Sequence, residues 1–416
     1  MNHDARTRHS DAHGSPTRHD VVIVGGGLVG ASLAIALDRT GLDVAMVEAT
    51  PTGVLPAVFD QRNLSFAEAT VNALTALGVL QKLQMPAAPI RRIHVSRAGD
   101  FGRVQLDAAD YGRQCFGQVV VARDFGQALE TRLAELNHLV RYRPARFIGL
   151  DSETDHQRVI RIDAGDGERL LAAKLLVAAD GTHSAVRSGL GIDVDEYDYA
   201  QALFVARLRP ARLADGSAWE RFGTDGPTAL LPRGDGHYGV VHGVALGQAD
   251  AVAALDDVAW LARLQRAFGW RAGAFLEVGP RSRYPAVRVC AGRTIGSRAV
   301  LIGNAAQSLH PVGAQGFNLG LRDALTLAEL VDGCEDPGTN ALLAAYVQRR
   351  QEDRVRTLAF SHGLARMTAN PSLLLRPLRS AGLLAAQRLP ALQAWLVGGA
   401  MGYRGEVPRL CRGTVA

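Results

Sequence analysis

The chain is 416 residues long and 47% hydrophobic, which is enough for two domains with sizeable cores. Its formal charge of +5 comes mostly from arginines spread along the sequence without a basic run or a nucleic-acid-binding motif, so nucleic acid is not predicted as a partner. The sequence contains neither an apolar run long enough to span a bilayer nor the apolar core of a signal peptide, which predicts a cytoplasmic protein.

The cysteines and histidines predict no metal site. The cysteines, at positions 115, 290, 334 and 411, lack any metal-ligand spacing, so all are predicted to be free thiols. Residues 1–19 are polar and contain several histidines at irregular spacing but almost nothing that could be buried. This segment is predicted to be a disordered tail, and predicted structure begins at Asp20.

The first predicted element is a buried strand, Val21 to Val24, followed by a glycine-rich loop and a helix rich in alanine and leucine. The loop reads GGGLVG, which is the GxGxxG pattern in the strand–loop–helix context that dinucleotide binding requires. Gly25 and Gly27 let backbone N–H groups approach a pyrophosphate, and Gly30 permits close packing of helix on strand. The next predicted strand ends at Glu48, whose carboxylate suits the hydroxyls of an adenosine ribose.

A second GxGxxG match, Gly234 to Gly239, lies in a different context. It separates two strand-like runs, Ala229 to Leu231 and Val240 to Val244, and therefore predicts a hairpin turn rather than another dinucleotide site. The pattern alone does not choose between NAD and FAD at the first site.

Two arginines and an Asp-Gly pair extend the candidate cofactor site. Arg62 lies in the segment DQRNLS, and Arg123 follows the strand-like run VVVA ahead of a helix. Each is readable as a cofactor-binding arginine or as a solvated ion-pair residue. Asp180 and Gly181 follow a buried strand, Leu175 to Ala178, and open the segment DGTHSAVR.

The middle of the chain predicts antiparallel structure. Ile90 to Leu106 shows partial alternation around a Gly-Asp turn and predicts a hairpin. From Tyr197 to Tyr284, short strand-like runs separated by turns predict an antiparallel sheet. His242 within this region is readable as a pocket base or as a satisfied histidine beside a turn.

The stretch from Val300 to Leu330 predicts a buried strand, a loop and a long helix. The N–H groups at the start of that helix would face the loop, where they stabilise an anion such as the N1/O2 edge of a reduced flavin. An ordinary strand–loop–helix unit is the alternative interpretation. The residues assigned here to the cofactor are Gly303, Asn304, Pro311, Gly316, Phe317 and Asn318.

The C-terminal part predicts helices. Ala341 to His362 reads as one helix, and the stretch from Pro371 to Met401, rich in leucine and alanine with interspersed arginines, predicts short helices. The apolar surface of this last stretch is either part of the core or a surface for a bilayer or a partner.

Several of these segments resemble the fingerprints of the class A flavoprotein aromatic hydroxylases: the GNAA run at Gly303, the loop and helix from Pro311 to Asp323, the arginine segment at Asp60, and the DGxxSxxR run at Asp180. Asn304 followed by Gln307 resembles the ubiquinone-biosynthesis branch of 2-polyprenyl-6-methoxyphenol hydroxylases. The resemblance covers nearly the whole chain. One departure is local: the chain reads Gly-Ala at position 313 where the branch usually reads Ala-Gly.

The resemblance implies an FAD-dependent monooxygenase that takes electrons from NAD(P)H, consumes O2 and hydroxylates a polyprenyl phenol. It further implies peripheral contact with the inner membrane and membership of a ubiquinone-biosynthesis complex, and it names no catalytic base. The alternatives are another ring-hydroxylation step, a flavin-dependent reductase of isoprenoids, and a structural FAD-bound member of such a complex.

The implied fold is α/β, with a discontinuous Rossmann-like FAD-binding domain, an antiparallel substrate sheet and a helical C-terminal region. The predicted division is residues 1–19 as the tail, 20–88, 108–194 and 285–340 as FAD-binding segments, 89–107 as a hairpin of the substrate sheet, 195–284 as the substrate domain and 341–416 as the helical region.

Overall fold

The structure is a computed structural model that describes residues 15–369, 372 and 376–413. The strands in these ranges are β1 Thr17–Val24, β2 Val44–Val47, β3 Asn63–Ala67, β4 Ala88–Pro89, β5 Arg92–Arg97, β6 Arg103–Asp107, β7 Gly117–Val121, β8 Leu139–Tyr142, β9 Arg146–Glu153, β10 Arg158–Asp163, β11 Glu168–Ala178, β12 Val194–Pro210, β13 Ser217–Phe222, β14 Pro227–Pro232, β15 Tyr238–Ala245, β16 Phe275–Val278, β17 Ser282–Ala291, β18 Ile295–Gly296, β19 Ala299–Leu301 and β20 Gln307–Ser308. The helices are α1 Leu28–Leu37, α2 Glu68–Ala76, α3 Ala122–Leu133, α4 Ala185–Gly189, α5 Ala249–Ala253, α6 Asp257–Phe268, α7 Gly316–Val331, α8 Asn340–Ala369, α9 Arg376–Arg388 and α10 Pro390–Ala400.

The cofactor sheet is built on parallel pairing, with the strand order β18-β19-β11-β1-β2-β8. Strand β1 lies between β11 and β2 and is parallel to both. Val21 and Ile23 pack on the side of α1, α3 and α7, whereas Val22 and Val24 pack on the opposite side, against residues of β10 and β11. Both faces of the strand are covered, which explains its continuous apolar sequence.

Strand β1 begins earlier than predicted. It starts at Thr17, inside the stretch predicted to be a disordered tail, because Thr17 to His19 pair with Leu171 to Ala173 of the long strand β11. The ring of His19 is also held, at 3.0 Å from a carboxylate oxygen of Asp43 and 3.0 Å from the hydroxyl of Tyr142. Residues 1–14 of the predicted tail lie outside the described residues.

The second large sheet has the order β20-β17-β12-β15-β14-β13-β5-β6 and is antiparallel except at one pair. The predicted hairpin before Leu106 is present as β5 and β6, and β5 joins the sheet by parallel pairing with β13. The second GxGxxG match joins the antiparallel strands β14 and β15, so the prediction of a hairpin turn there is confirmed.

One face of this sheet is covered by α6, a helix within a stretch that the sequence analysis read as strands and turns. The side chain of Asp256 caps the helix by accepting a hydrogen bond from Ala259 N at 2.8 Å. Trp260, Leu264 and Phe268 recur every four residues and pack on the sheet. The opposite face of the sheet is turned toward the rest of the protein, which consists of the parallel sheet, the small sheet β3-β7-β4 and the helices α1, α2, α3 and α7 and is called the cofactor half below. There Tyr284 donates a hydrogen bond to Asp60 at 2.5 Å.

The C-terminal region is helical, as predicted. Helix α8 runs from Asn340 to Ala369 and is longer than predicted. Helices α9 and α10 pack on strand β6, where Ala386, Val397 and Met401 meet Val104 and Leu106. Within residues 15–369 and 376–413, no helix combines the length and apolar character needed to cross a bilayer.

Candidate cofactor and substrate site

The glycine-rich loop after β1 contains two glycines that the fold itself requires. Gly25 has a φ of +105°, and a Cβ there would lie 2.5 Å from the carbonyl oxygen of Ala179. A Cβ at Gly30 would lie 1.9 Å from the carbonyl oxygen of Gly25. Gly27 differs, because its φ of −71° suits any residue and a Cβ would meet only Val58, at 3.8 Å. The packing of the protein therefore gives no reason for glycine at position 27, whereas close approach of a ligand does.

Glu48 lies beside this loop, at the end of β2. Its carboxylate accepts hydrogen bonds from Gly26 N at 2.8 Å and from Thr50 N at 2.7 Å. These bonds fix the side chain next to the start of α1, the place where the ribose of a dinucleotide would lie. A contact between Glu48 and the ribose stays a prediction.

Asp180 and Gly181 follow the neighbouring strand β11. Ala179 N donates to Val24 O at 2.8 Å, which draws the Asp-Gly pair beside the glycine-rich loop. One carboxylate oxygen of Asp180, Oδ2, accepts a hydrogen bond from Val186 N at 3.1 Å. The other, Oδ1, is buried and has no hydrogen-bond partner in the described ranges. Buried oxygens without a partner are uncommon and costly, so Asp180 is suited to a ligand that brings a donor group.

A third segment follows β19, the next strand of the sheet. Gly303 has a φ of +57° and packs so closely on α1 that a Cβ would lie 2.9 Å from a methyl carbon of Val29. Asn304 comes next and its side chain is exposed. The three predicted fingerprints, far apart in the chain, thus meet at the carboxyl ends of the adjacent strands β1, β11 and β19. Ligands of open α/β sheets bind at this edge.

The loop before α7 is held by Asn318. Its side chain accepts a hydrogen bond from Ala67 N at 2.9 Å and donates to Ser65 O at 2.9 Å and to Ala314 O at 2.8 Å. Ala314 has a φ of +50°, in the left-handed region where a side chain is unfavourable, and it stands where the branch usually has glycine. Because the amide of Asn318 is occupied by the protein, we infer that it acts by holding this loop.

The other predicted residues of the α7 segment fall into two groups. Pro311 lies in the loop, and Gly316 is the first residue of the helix. The ring of Phe317 instead packs in an aromatic cluster, 5.3 Å from both Phe66 and Phe125. Phe317 therefore anchors the helix start to the core.

Arg62 and Arg123 meet at Asp60. The guanidinium of Arg62 donates to both carboxylate oxygens of Asp60, at 2.9 Å and 2.7 Å, and lies 4.5 Å from the ring centre of Tyr284. Burial acts to raise the pKa of Asp60, but hydrogen bonds from Arg62 and Tyr284 hold it below the usual value. Arg123 donates its backbone N–H to Asp60 O at 2.9 Å, and its exposed side chain has no ion-pair partner in the described part of the chain.

His242 does not face the cofactor half. Its ring lies 2.9 Å from the hydroxyl of Thr228 and packs against Trp260, on the face of the sheet that α6 covers. Burial lowers the pKa of His242 to about 4, so the ring is neutral at pH 7. These contacts fit a core histidine rather than a pocket base.

A buried ionic network that the sequence analysis did not anticipate supports the third segment. Asp323 on α7 accepts hydrogen bonds from Gln307 at 2.7 Å and from Arg350 on α8 at 2.8 Å. Asp353, one turn further along α8, pairs with Arg350 at 2.8 Å and with Arg322 at 2.6 Å. Gly303 N donates to Asp323 as well, at 3.3 Å, so the network ties the loop after β19 to both helices.

Comparisons with known proteins show which proteins the chain is similar to. Residues 18–361 match the family described as FAD binding domain. Ubiquinone hydroxylase UbiL of Rhodospirillum rubrum is 34% identical over 402 residues, which cover 95% of this chain and 92% of that protein. The 3-demethoxyubiquinol 3-hydroxylase of Escherichia coli is 29% identical over 393 residues, covering 92% and 98%.

A solved structure shows the same fold. The p-nitrophenol 4-monooxygenase PnpA from Pseudomonas putida superposes with a TM-score of 0.78 at 19% identity, and the superposition covers 94% of this chain and 99% of that one.

Proposed function

Because the chain belongs to the FAD binding domain family, we propose for it a specific reaction, the hydroxylation of 2-polyprenyl-6-methoxyphenol to 2-polyprenyl-6-methoxy-1,4-benzoquinol. The general class of this reaction follows from the family and the relatives: the protein is an FAD-dependent aromatic hydroxylase of ubiquinone biosynthesis that uses NAD(P)H as electron donor. The observation that carries the proposal is the convergence of three candidate cofactor segments at the carboxyl ends of β1, β11 and β19, in the half of the protein that the antiparallel sheet contacts through Tyr284 and Asp60.

The residues at this edge fit FAD. The absence of a side chain at Gly27 leaves room for a pyrophosphate beside the loop. Asp180 has a buried oxygen without a hydrogen-bond donor, and the carboxylate of Glu48 is held beside the loop, where it can accept hydrogen bonds from a ribose. When bound, FAD would accept electrons from NAD(P)H and, with O2, supply the oxygen atom that enters the ring. The task left to the protein is to bind the phenol, exclude water and promote formation of the phenolate.

The chemistry of the ring supports the position of attack. A phenolate directs an electrophilic oxygen to its ortho and para carbons, and both ortho carbons of 2-polyprenyl-6-methoxyphenol already carry substituents. The para carbon is therefore the expected site. The choice of this phenol rests on the resemblance at Asn304 and Gln307, where related enzymes acting at other ring carbons usually carry Asp and His.

The reaction is tested by product analysis. Cells that lack the gene should accumulate the methoxyphenol, and labelled dioxygen should deliver one atom to its para carbon when the gene is restored. Accumulation of an earlier phenol or a later quinone would move the protein to a neighbouring hydroxylation step. Addition of hydrogen instead of oxygen would identify a reductase, and a flavin that NAD(P)H fails to bleach would indicate a structural role.

We further propose that α9 and α10 bind the cytoplasmic face of the inner membrane, where a polyprenyl substrate resides. Leu378 on α9, Trp395 on α10 and Leu389 between the two helices are 69%, 50% and 53% exposed, and the stretch contains interspersed arginines. Part of the protein should therefore sediment with membranes. Detergent should release it if apolar contact dominates, and high salt should release it if charge does.

A triple variant, Leu378→Ser with Leu389→Ser and Trp395→Ser, should shift most of the protein to the supernatant. The matched control is Leu213→Ser. Leu213 is also an exposed leucine, at 78%, but it precedes β13 and does not belong to α9 or α10. Unchanged sedimentation of a triple variant that retains FAD would contradict this surface. Sedimentation that vanishes only in cells lacking other ubiquinone-biosynthesis proteins would assign the surface to a protein complex instead.

A further inference from the structure

Glu220 lies on the face of the antiparallel sheet that is turned toward the cofactor half. Its neighbours in β13 define that direction, because side chains alternate along a strand. Trp219 packs 6.0 Å from the ring of Phe268 on α6, and Arg221 donates to Ala267 O at 3.1 Å at the end of the same helix. Glu220 therefore projects from the opposite face, as does Ala218, which packs in the same cluster as Val119 of the cofactor half.

The surroundings of Glu220 in the sheet are apolar. Its partners in register are Val95 on β5 and Ala229 on β14, and both are partly exposed, as Glu220 itself is. Because this face is turned toward the cofactor half, we infer that the accessible surface of these residues lines the space between the sheet and that half. Leu231 and Val241, on the same face of the next strands, are also partly exposed. Together these residues form an apolar wall with a single carboxylate in it.

The carboxylate of Glu220 has no hydrogen-bond or ion-pair partner in the ranges that the structure describes. The charged residue that follows Val95 on this face, Arg97, is ion-paired with Asp100. Burial alone raises the pKa of Glu220 to about 8. An acid kept in apolar surroundings without a partner is costly to the folded protein, and such groups cluster at functional sites.

We propose that Glu220 binds the phenolic hydroxyl of the substrate and accepts its proton, an inference that rests on the proposed function. The O–H bond of the phenol breaks and an O–H bond forms on the carboxylate, while the electron pair stays on the phenolate oxygen. The proton transfer needs no other reactant. A phenol has a pKa of about 10, so a carboxylate whose own pKa is raised to about 8 is a stronger base than an ordinary glutamate, and it accepts the proton in the ionised fraction of the protein, which grows as the pH rises toward 8.

The test compares Glu220→Gln with the wild-type holoenzyme. Glutamine keeps the shape and can still donate a hydrogen bond, but it cannot take a proton. The matched control is Glu277→Gln, because Glu277 is an exposed glutamate on β16, at the edge of the same sheet. We expect the Glu220 variant to hold FAD and to be reduced by NAD(P)H, while its rate of phenol hydroxylation falls by about 10²- to 10⁴-fold.

Two further measurements separate proton transfer from simple packing. A substrate analogue that carries ring fluorines, and hence a more acidic hydroxyl, should restore much of the rate in Glu220→Gln. The hydroxylation rate of the wild type should rise as the pH passes through about 8, where Glu220 loses its proton, and this rise should be absent from the variant. A variant that hydroxylates the natural phenol at the wild-type rate would overturn the role of Glu220 alone. A wild-type protein that hydroxylates no phenol would overturn the proposed function and this inference with it.

Discussion

Replacing Gly27 by leucine is expected to give a folded protein that no longer retains FAD. The backbone at Gly27 has a φ of −71°, and a Cβ there would contact only Val58, at 3.8 Å, so the fold accepts a side chain. The same side chain would occupy the space through which a pyrophosphate approaches the loop. We expect flavin absorbance to fall from about one FAD per chain to nearly none, with an unchanged circular dichroism spectrum.

Two other glycines serve as controls for this result. Gly247→Leu introduces the same side chain at a position with no atom within 4 Å and should leave FAD content unchanged. Gly30→Ala should disturb folding itself, because its Cβ would lie 1.9 Å from the carbonyl oxygen of Gly25. A Gly27→Leu protein that keeps its flavin would contradict the assignment of the loop. Release of NAD from the wild type on acid treatment would contradict the cofactor.

Removing the carboxylate of Asp353 is expected to destabilise the protein by about 3–5 kcal/mol, because Arg322 and Arg350 would be left buried without their shared partner. Asp353 is 0% exposed. Burial acts to raise its pKa, but the two arginines outweigh burial and hold the pKa below the usual value. The stabilisation that Asp353 provides is therefore present at neutral pH and is lost only as the pH falls through that lowered pKa.

The measurement is the free energy of unfolding in urea of Asp353→Ala at pH 7. The neighbouring residue offers a matched control, since Glu352 is exposed and pairs with Arg356 on the surface of the same helix. Glu352→Ala should cost no more than about 0.5 kcal/mol. If both variants unfold at the same urea concentration, the network around Asp353 contributes no more than a surface ion pair. Because Asp323 also bonds Gly303, we expect Asp353→Ala to lose FAD more readily on dilution.

The parts of the cofactor site that were predictable from the sequence are those with a local signal. A glycine-rich loop after a buried strand, or Asp180-Gly181 after another, is a contiguous pattern with a known structural context. The meeting of Arg62 and Tyr284 at Asp60 has no such signal, because the hydroxyl donor lies 224 positions away from its acceptor. Contacts of that kind depend on how the two large sheets pack.

Glu220 illustrates the same limit. The alternation of β13 is readable from the sequence, but the face that meets the cofactor half is fixed by α6, which covers the other face. That helix was itself not predicted, since its cap at Asp256 and its apolar residues fall between strand-like runs. The early start of β1 at Thr17 was missed for a related reason, because only its partner strand makes a polar segment extended.

The strand order of the cofactor sheet also fixes when that sheet can assemble during synthesis. The central strand β1 is made first, but its partner β11 ends at Ala178, and β19, which carries the last fingerprint, ends at Leu301. At the usual speed of translation, β1 waits on the order of tens of seconds for these strands, with one edge unpaired and open to association with other chains. The flavin therefore cannot enter its site on the ribosome until most of the polypeptide has emerged. A nascent chain stalled before Leu301 would bind chaperones but could not yet bind FAD.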